Sequence, residues 1–270
     1  MERRAFMTSM VGSTLLAAAG VSAGGTGQRQ APESPTSSVY TWRQYILRTG
    51  TQPKRLADFL QNAAIPALNR LGHRPIGVFD VLTGLPTPTV FVMTPFDSVG
   101  SLLSLEERLD KDQEFVHAST SYTDAPATDP VYVRQEVSLL SAFTKFPRIE
   151  VPAATATRGP RLFELRTYES PSEHAHRAKV KMFEEMGEIE IFRKSGLTPV
   201  FFSRTLAGPR MPSLVYMLVH ENQASRDKSW GAFRDNPDWK KLSATPGYTD
   251  PEIVSNITTV LLRPTAYSQI

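Results

Sequence analysis

The sequence predicts an α+β fold: two tandem copies of one strand–helix–strand–strand–helix–strand unit, each an antiparallel four-stranded sheet with helices on its outer face. Three observations carry this. The chain matches itself across two halves, in order and in spacing. Apolar residues switch between a period of two and a period near 3.6 in the same order in both halves. A Pro-containing stretch, residues 150–160, separates the two halves.

Composition is in keeping with that plan. A chain of 270 residues with 40% hydrophobic content can bury two modest cores, and disorder is excluded for most of it. The formal charge of +3 arises from 30 basic and 27 acidic residues, which leaves no basic footprint for nucleic acid. The chain has no Cys, which excludes a disulfide framework, a thiolate nucleophile and a thiolate metal site.

The N-terminus reads as a targeting segment. Arg3 and Arg4 precede a mildly apolar run from Met10 to Ala19, and Val21-Ser22-Ala23 makes a small-residue end, so residues 1–23 are an expected signal peptide. That run is too short to span a bilayer as a mature helix, and no stable transmembrane segment is expected in the mature chain. Arg3-Arg4-Ala5-Phe6-Met7 resembles the twin-arginine export motif, with Glu2 where the motif has Ser or Thr; an ordinary secretory signal is the alternative. Either route delivers the protein to the periplasm or outside the cell. Residues 24–38, rich in Gly, Ser, Pro and Gln, cannot bury enough surface to fold and are an expected disordered tether.

Residues 39–149 are the expected first unit, 150–160 the linker and 161–270 the second unit. Tyr40-Thr41-Trp42-Arg43-Gln44-Tyr45 matches Phe163-Glu164-Leu165-Arg166-Thr167-Tyr168 as the opening strand of each. A helix follows in both. In the first, Leu56, Phe59, Ala63, Ala67 and Leu71 recur at helical spacing, and Pro66, which lacks an amide donor, is expected to kink the helix near Asn62. In the second, Ser170-Pro171-Ser172-Glu173 offers an N-cap Ser170 with Pro and Glu at the first and third positions. Ala175, Ala178, Met182, Met186 and Ile189 then continue as one stripe. Gly72 and Gly196 close these helices, and Pro75 and Pro199 lead into second strands. Turns at Gly84 and Gly208, then Pro88 and Pro212, precede the third strands, Val90-Phe91-Val92-Met93 and Leu214-Val215-Tyr216-Met217. The second helices, Ser98 to Leu109 and Asn222 to Arg234, are shorter, and Glu114-Phe115 recurs as Asp238-Trp239. A split βαβ order of this kind is ferredoxin-like.

With those residues in place, Phe163 to Tyr168, the Gly208-Pro209 turn and Asn236-Pro237-Asp238-Trp239 together resemble the NIPSNAP domain, over residues 161–262. The first unit resembles it more weakly, keeping Arg43, Gln44, Tyr45, Gly72 and Gly84 but lacking the Asn-Pro-Asp-Trp element. The resemblance implies a dimeric α/β barrel, in which two four-stranded sheets close face to face with helices outside. Both sheets can come from this one chain, and a homo-oligomer is compatible with it.

Strand alternation places Tyr40, Trp42, Phe163 and Leu165 on one face of the opening strands and Arg43, Tyr45, Glu164, Arg166 and Tyr168 on the other. The apolar face is expected to meet the helices, which puts the second face inside the barrel, where charge must be paired or wet. Two explanations compete. Each Arg pairs structurally with a carboxylate such as Glu164 or Asp80, or these five residues are candidate ligand-binding groups of a pocket for an anion or carbonyl. Simple exposure to solvent is the third outcome. His174 and His176 point about 200° apart on a helix, and His73, His117 and His220 are isolated, so no metal site is assigned. Trp230 and Trp239 read as core or interface anchors. No nucleophile elbow or cofactor motif is present, so catalysis and cofactor stay unassigned. The expected function is an exported protein that binds a small molecule in the barrel cavity. The alternative is a non-catalytic interaction or adaptor module, a role often given to NIPSNAP proteins.

Overall fold

The computed structural model describes residues 38–270; the expected signal and twin-arginine segment, and nearly all of the expected tether, lie outside the described residues. Eight strands close into a single antiparallel barrel. They are β1 (Val39–Ile46), β2 (Gly77–Thr83), β3 (Thr89–Phe96), β4 (Arg134–Ala142), β5 (Leu162–Glu169), β6 (Thr198–Ala207), β7 (Ser213–His220) and β8 (Asn256–Pro264). Their order around the barrel is β1-β3-β2-β8-β5-β7-β6-β4. The expected closure into a barrel with helices outside is found, but the two four-stranded sheets expected to form it are one continuous sheet. Each half does supply four adjacent strands, but β2 hydrogen-bonds to β8 and β4 to β6, so the edges are consumed in one closed sheet.

Residues matched between the halves of the sequence hold equivalent positions in the strand register. Arg43 stands opposite Val92, and Arg166 opposite Tyr216, the third residue of each matched run. The matched turn glycines sit at the two seams. Gly84 has φ 102° and a Cβ there would lie 2.5 Å from the Thr259 carbonyl oxygen of β8; Gly208 has φ 151° and its Cβ would lie 2.6 Å from Ser138 Oγ of β4. Both positions combine a left-handed backbone with close approach of a neighbouring strand, which only Gly tolerates.

Alternation sorts the two faces of β1 and β5 as expected, but the sides are exchanged. Tyr40, Trp42, Phe163 and Leu165 point into the barrel and join one apolar cluster with Phe79, Phe91, Phe201 and Met217. Trp42 stacks on Phe91 at 4.9 Å, and Phe79 meets Phe163 edge-on at 5.0 Å. An eight-stranded barrel is just wide enough for side chains to fill, so its interior is the driest place available and takes the more apolar face. Arg43, Tyr45, Glu164, Arg166 and Tyr168 lie outside the barrel wall, beneath the helices.

Those helices form two layers. Over the first half lie α1 (Gln52–Phe59), α2 (Ile65–Arg70), α3 (Val99–Leu103), α4 (Leu105–Asp110) and α5 (Gln113–Thr123). The kink expected at Pro66 takes the form of a π-helical turn over Leu60–Ala64, which absorbs the hydrogen bond that Pro66 cannot give to Asn62. Over the second half lie α6 (Glu173–Glu184), α7 (Glu188–Lys194), α8 (Gln223–Asp235), α9 (Pro237–Ser243) and α10 (Asp250–Ile253). The N-cap of α6 is Ser172, whose side chain accepts from Ala175 N, so the cap expected at Ser170 is moved two residues along. The stripe expected as one helix is divided as well. Gly187 (φ 88°) ends it and starts α7, and this break lets both Met182 and Ile189 face the core. No helix among the described residues is long and apolar enough to cross a membrane.

Candidate functional site

The second half holds a polar network between the barrel wall and the helices. Its centre is Glu164, which β5 points outward and which is fully buried. Arg226 Nε and Nη2 each donate to its carboxylate at 2.8 Å, the Trp230 indole N–H donates at 2.8 Å and Arg166 Nη1 at 3.1 Å, while His220 Nε2 lies 3.2 Å away. The N-cap Asn222 and its capping box set the start of α8, and Arg226 and Trp230, one helical turn apart, then face the same carboxylate. Burial alone would raise the Glu164 pKa. The hydrogen bonds from His220, Arg226 and Trp230, with the charge of Arg166, outweigh it and hold the carboxyl at about 2.

Arg166 links this centre to two tyrosines. Its guanidinium lies over the Trp230 ring at 4.6 Å, a cation–π contact, and its Nη2 donates to Tyr168 Oη at 3.1 Å. The fully buried Tyr216 hydroxyl donates to the same oxygen at 3.0 Å. Tyr168 therefore accepts twice and keeps its own proton to give. Arg166 Nε is buried without a partner among the described residues. Deeper in lies a buried ion pair, with Lys179 Nζ 3.2 and 3.3 Å from the Glu188 carboxylate oxygens and 3.7 Å from Asp250. Burial opposes charge on both partners and pushes the Glu188 carboxyl up to about 7. For Lys179 the adjacent Glu188, Tyr168 and Asp250 outweigh burial and hold the ammonium protonated. The ammonium's direction is the one this geometry carries, with carboxylates on two sides of Nζ.

A pocket of about 510 Å³ opens onto these groups. Arg166, Tyr168, Trp230 and Trp239 line it together with Arg226 and Arg234, and the acids Asp227, which pairs with Arg226 at 3.2 Å, and Asp250 also reach it. Its volume is in the range of small-molecule sites. By contrast the barrel interior is packed by the apolar cluster around Trp42 and Phe163, and among the described residues a well of about 120 Å³ opens beside it, lined by Gln44, Thr167 and Arg210 among others. None of the five candidate residues lines that well. Another concavity, about 370 Å³ between α6 and the β6–β7 turn, has three acids and three bases along its lining and offers a ligand no net charge.

The structure thus gathers Glu164, Arg166 and Tyr168 into one site and leaves Arg43 and Tyr45 in the other half. Asp80 pairs with Arg263 at 3.3 Å instead of with a candidate Arg. Arg226, His220 and Tyr216 were not singled out from sequence as partners of Glu164. A usable signal did exist, because Arg226 and Trp230 are spaced by four after a helix cap and Tyr216 stands opposite Arg166 in the matched register. Among the described residues no three His, Asp or Glu side chains converge to hold a metal ion.

Residues 163–269 match the NIPSNAP family. The match begins at the opening strand that carries Glu164, Arg166 and Tyr168, so the whole site lies within the matched residues. No curated protein matches the chain at a significant level. Among solved structures, a proposed monooxygenase from Lactobacillus acidophilus NCFM is similar with TM-score 0.56 at 10% identity, over 84% of this chain and 94% of that one. A proposed monooxygenase from Fusobacterium nucleatum has TM-score 0.51 at 6% identity, over 85% of this chain and 93% of that one. A NIPSNAP-like domain protein from Burkholderia xenovorans covers 40% of this chain and 88% of its own at 19% identity, with TM-score 0.36. The first two likenesses are of fold alone.

Proposed function

We propose that this protein binds a small planar molecule bearing an anionic or carbonyl oxygen, in the pocket between the barrel wall and α8–α9 of the NIPSNAP domain. One observation carries the reading. Tyr168 accepts from Arg166 and from Tyr216 and so has a free proton to donate, and it lines a pocket walled by Trp230 and Trp239. Two flat indoles suit a flat ligand, and the Arg166 and Tyr168 donors suit an oxygen that carries negative charge. Glu164 is saturated by protein donors and serves to hold Arg166, Arg226 and Trp230 in place. The function expected for the barrel cavity is thereby moved to the outside of the wall. The fold shared with proposed monooxygenases is a precedent for small-molecule chemistry on this scaffold, but it assigns no reaction here.

Native mass spectrometry of the protein purified from its own source tests this reading. A retained compound with a conjugated, oxygen-bearing skeleton is expected, lost in Arg166→Gln. Protein that is ligand-free and also indifferent to aromatic carboxylates points back to the interaction module. Two sequence expectations belong to the same proposal: residues 39–149 and 161–270 descend from one ferredoxin-like unit, and the chain is exported. Replacing Arg3 and Arg4 by Lys should hold precursor in the cytoplasm, and unchanged export would reject the twin-arginine route.

A further inference from the structure

The first half keeps the cation of the second half without its counter-charge. Arg43 and Tyr45 occupy the places of Arg166 and Tyr168, and Arg43 Nη1 donates to Tyr45 Oη at 3.3 Å. Among the described residues no carboxylate pairs with Arg43, whereas Glu164 pairs with Arg166 at 3.1 Å. The surroundings have changed in concert. Thr41 stands where Glu164 does and Phe96 where His220 does, by strand register. Leu102, four residues after the N-cap Ser98, stands where Arg226 follows the N-cap Asn222. Val92 takes the place of Tyr216. Glu106, at the place of Trp230, is exposed and does not line the space so formed.

These smaller or apolar side chains leave a cavity of about 90 Å³ beside Arg43, under the helices of the first half. The cross-strand neighbours Thr41 and Thr94 are buried and line it. The rest of the wall is aliphatic and aromatic, including Leu60, Leu105 and Leu109.

We propose that this cavity binds a short-chain aliphatic monocarboxylate, its head on Arg43 and its tail among the leucines. The half-buried Arg43 guanidinium meets one neutral hydroxyl and no carboxylate among the described residues, so it is free to take an anionic partner at the cavity. A carboxylate supplies two acceptors in the planar geometry that guanidinium prefers, and the Thr41 and Thr94 hydroxyls can donate to the same oxygens. Size sets the tail. An apolar cavity of ~150 Å³ holds a benzene ring, so the smaller space here takes a short chain and rejects ring systems. This site is separate from the NIPSNAP-domain pocket and does not rest on the reading of that pocket.

The test uses butyrate and its uncharged analogue butyramide, with binding followed by NMR of the Ile, Leu and Val methyl groups in the full chain. Butyrate should shift the Val92, Leu102, Leu105 and Leu109 signals in a saturable manner, leave Ile257 at the other pocket unmoved, and bind at least tenfold more tightly than butyramide. Thr41→Glu, which restores the carboxylate seen beside Arg166, should weaken butyrate tenfold or more, and so should Arg43→Gln. Equal affinity for butyrate and butyramide in the wild-type protein overturns the proposal, as does undiminished butyrate binding by either variant.

Discussion

At the scale of single residues, Glu164 shows how a buried charge becomes tolerable. Taking a carboxylate out of water is expensive, and it is offset here by Arg226, Arg166, Trp230 and His220 together. The sign of its pH effect follows from its depressed folded pKa. The stabilisation is fully present above the ordinary value of 4.5 and is lost as pH falls toward about 2. From that shift it is worth about 3 kcal/mol. Urea unfolding between pH 6 and 3 should show the wild type losing stability with acid and Glu164→Gln showing a flatter profile. Glu164→Gln should also cost about 3–5 kcal/mol at neutral pH, since it strands buried cations. Wild-type stability in that variant would contradict the network. Arg166 and Tyr168 were legible in the sequence because the repeat pairs them with Arg43 and Tyr45. The partners of Glu164 were not, because they come from β7 and α8, which only tertiary packing brings to β5.

At the scale of elements, periodicity told which side chains share a face but not which way the face points. Both faces of this sheet are covered, so each strand satisfies its apolar requirement either way round. What decides is the contrast between a packed barrel interior, which excludes charge, and the helix layer, whose Arg, Trp and Tyr can meet a carboxylate. Helix ends were legible where capping is local, as at Asn222 and Ser98. The break at Gly187 was missed because an amphipathic stripe runs on through it. The glycines at the seams offer a prediction of the same scale. Gly84→Ala forces a side chain onto a left-handed residue and against the backbone of β8. It should lower stability by about 2 kcal/mol or more, seen as a reduced melting temperature. An unchanged melting temperature would mean that the β2–β8 seam is looser than the geometry requires.

At the scale of the whole barrel, two halves with the same four-strand order meet edge to edge, and glycines matched in the sequence occupy both seams; the duplication proposed above would account for this closure. The two halves differ in chemistry. The second has Glu164 with its donors and a wide aromatic pocket; the first has Thr41 at the matching position and a narrow cavity beside Arg43. The number and order of strands were readable from the repeat. Closure into one sheet was not, since it depends on pairing between strands far apart in the chain, such as β2 with β8. The central claim is that the ligand site lies outside the barrel wall, with Tyr168 as donor. Tryptophan fluorescence tests it, because the chain has three Trp residues and Trp230 and Trp239 line the pocket while Trp42 lies inside the barrel. In a Trp42→Phe background, titration with 2-naphthoate should quench emission in a saturable manner. Adding Tyr168→Phe should weaken the affinity about tenfold, the worth of one hydrogen bond of ~1.4 kcal/mol. Absence of saturable quenching, or an affinity untouched by Tyr168→Phe, would contradict the account.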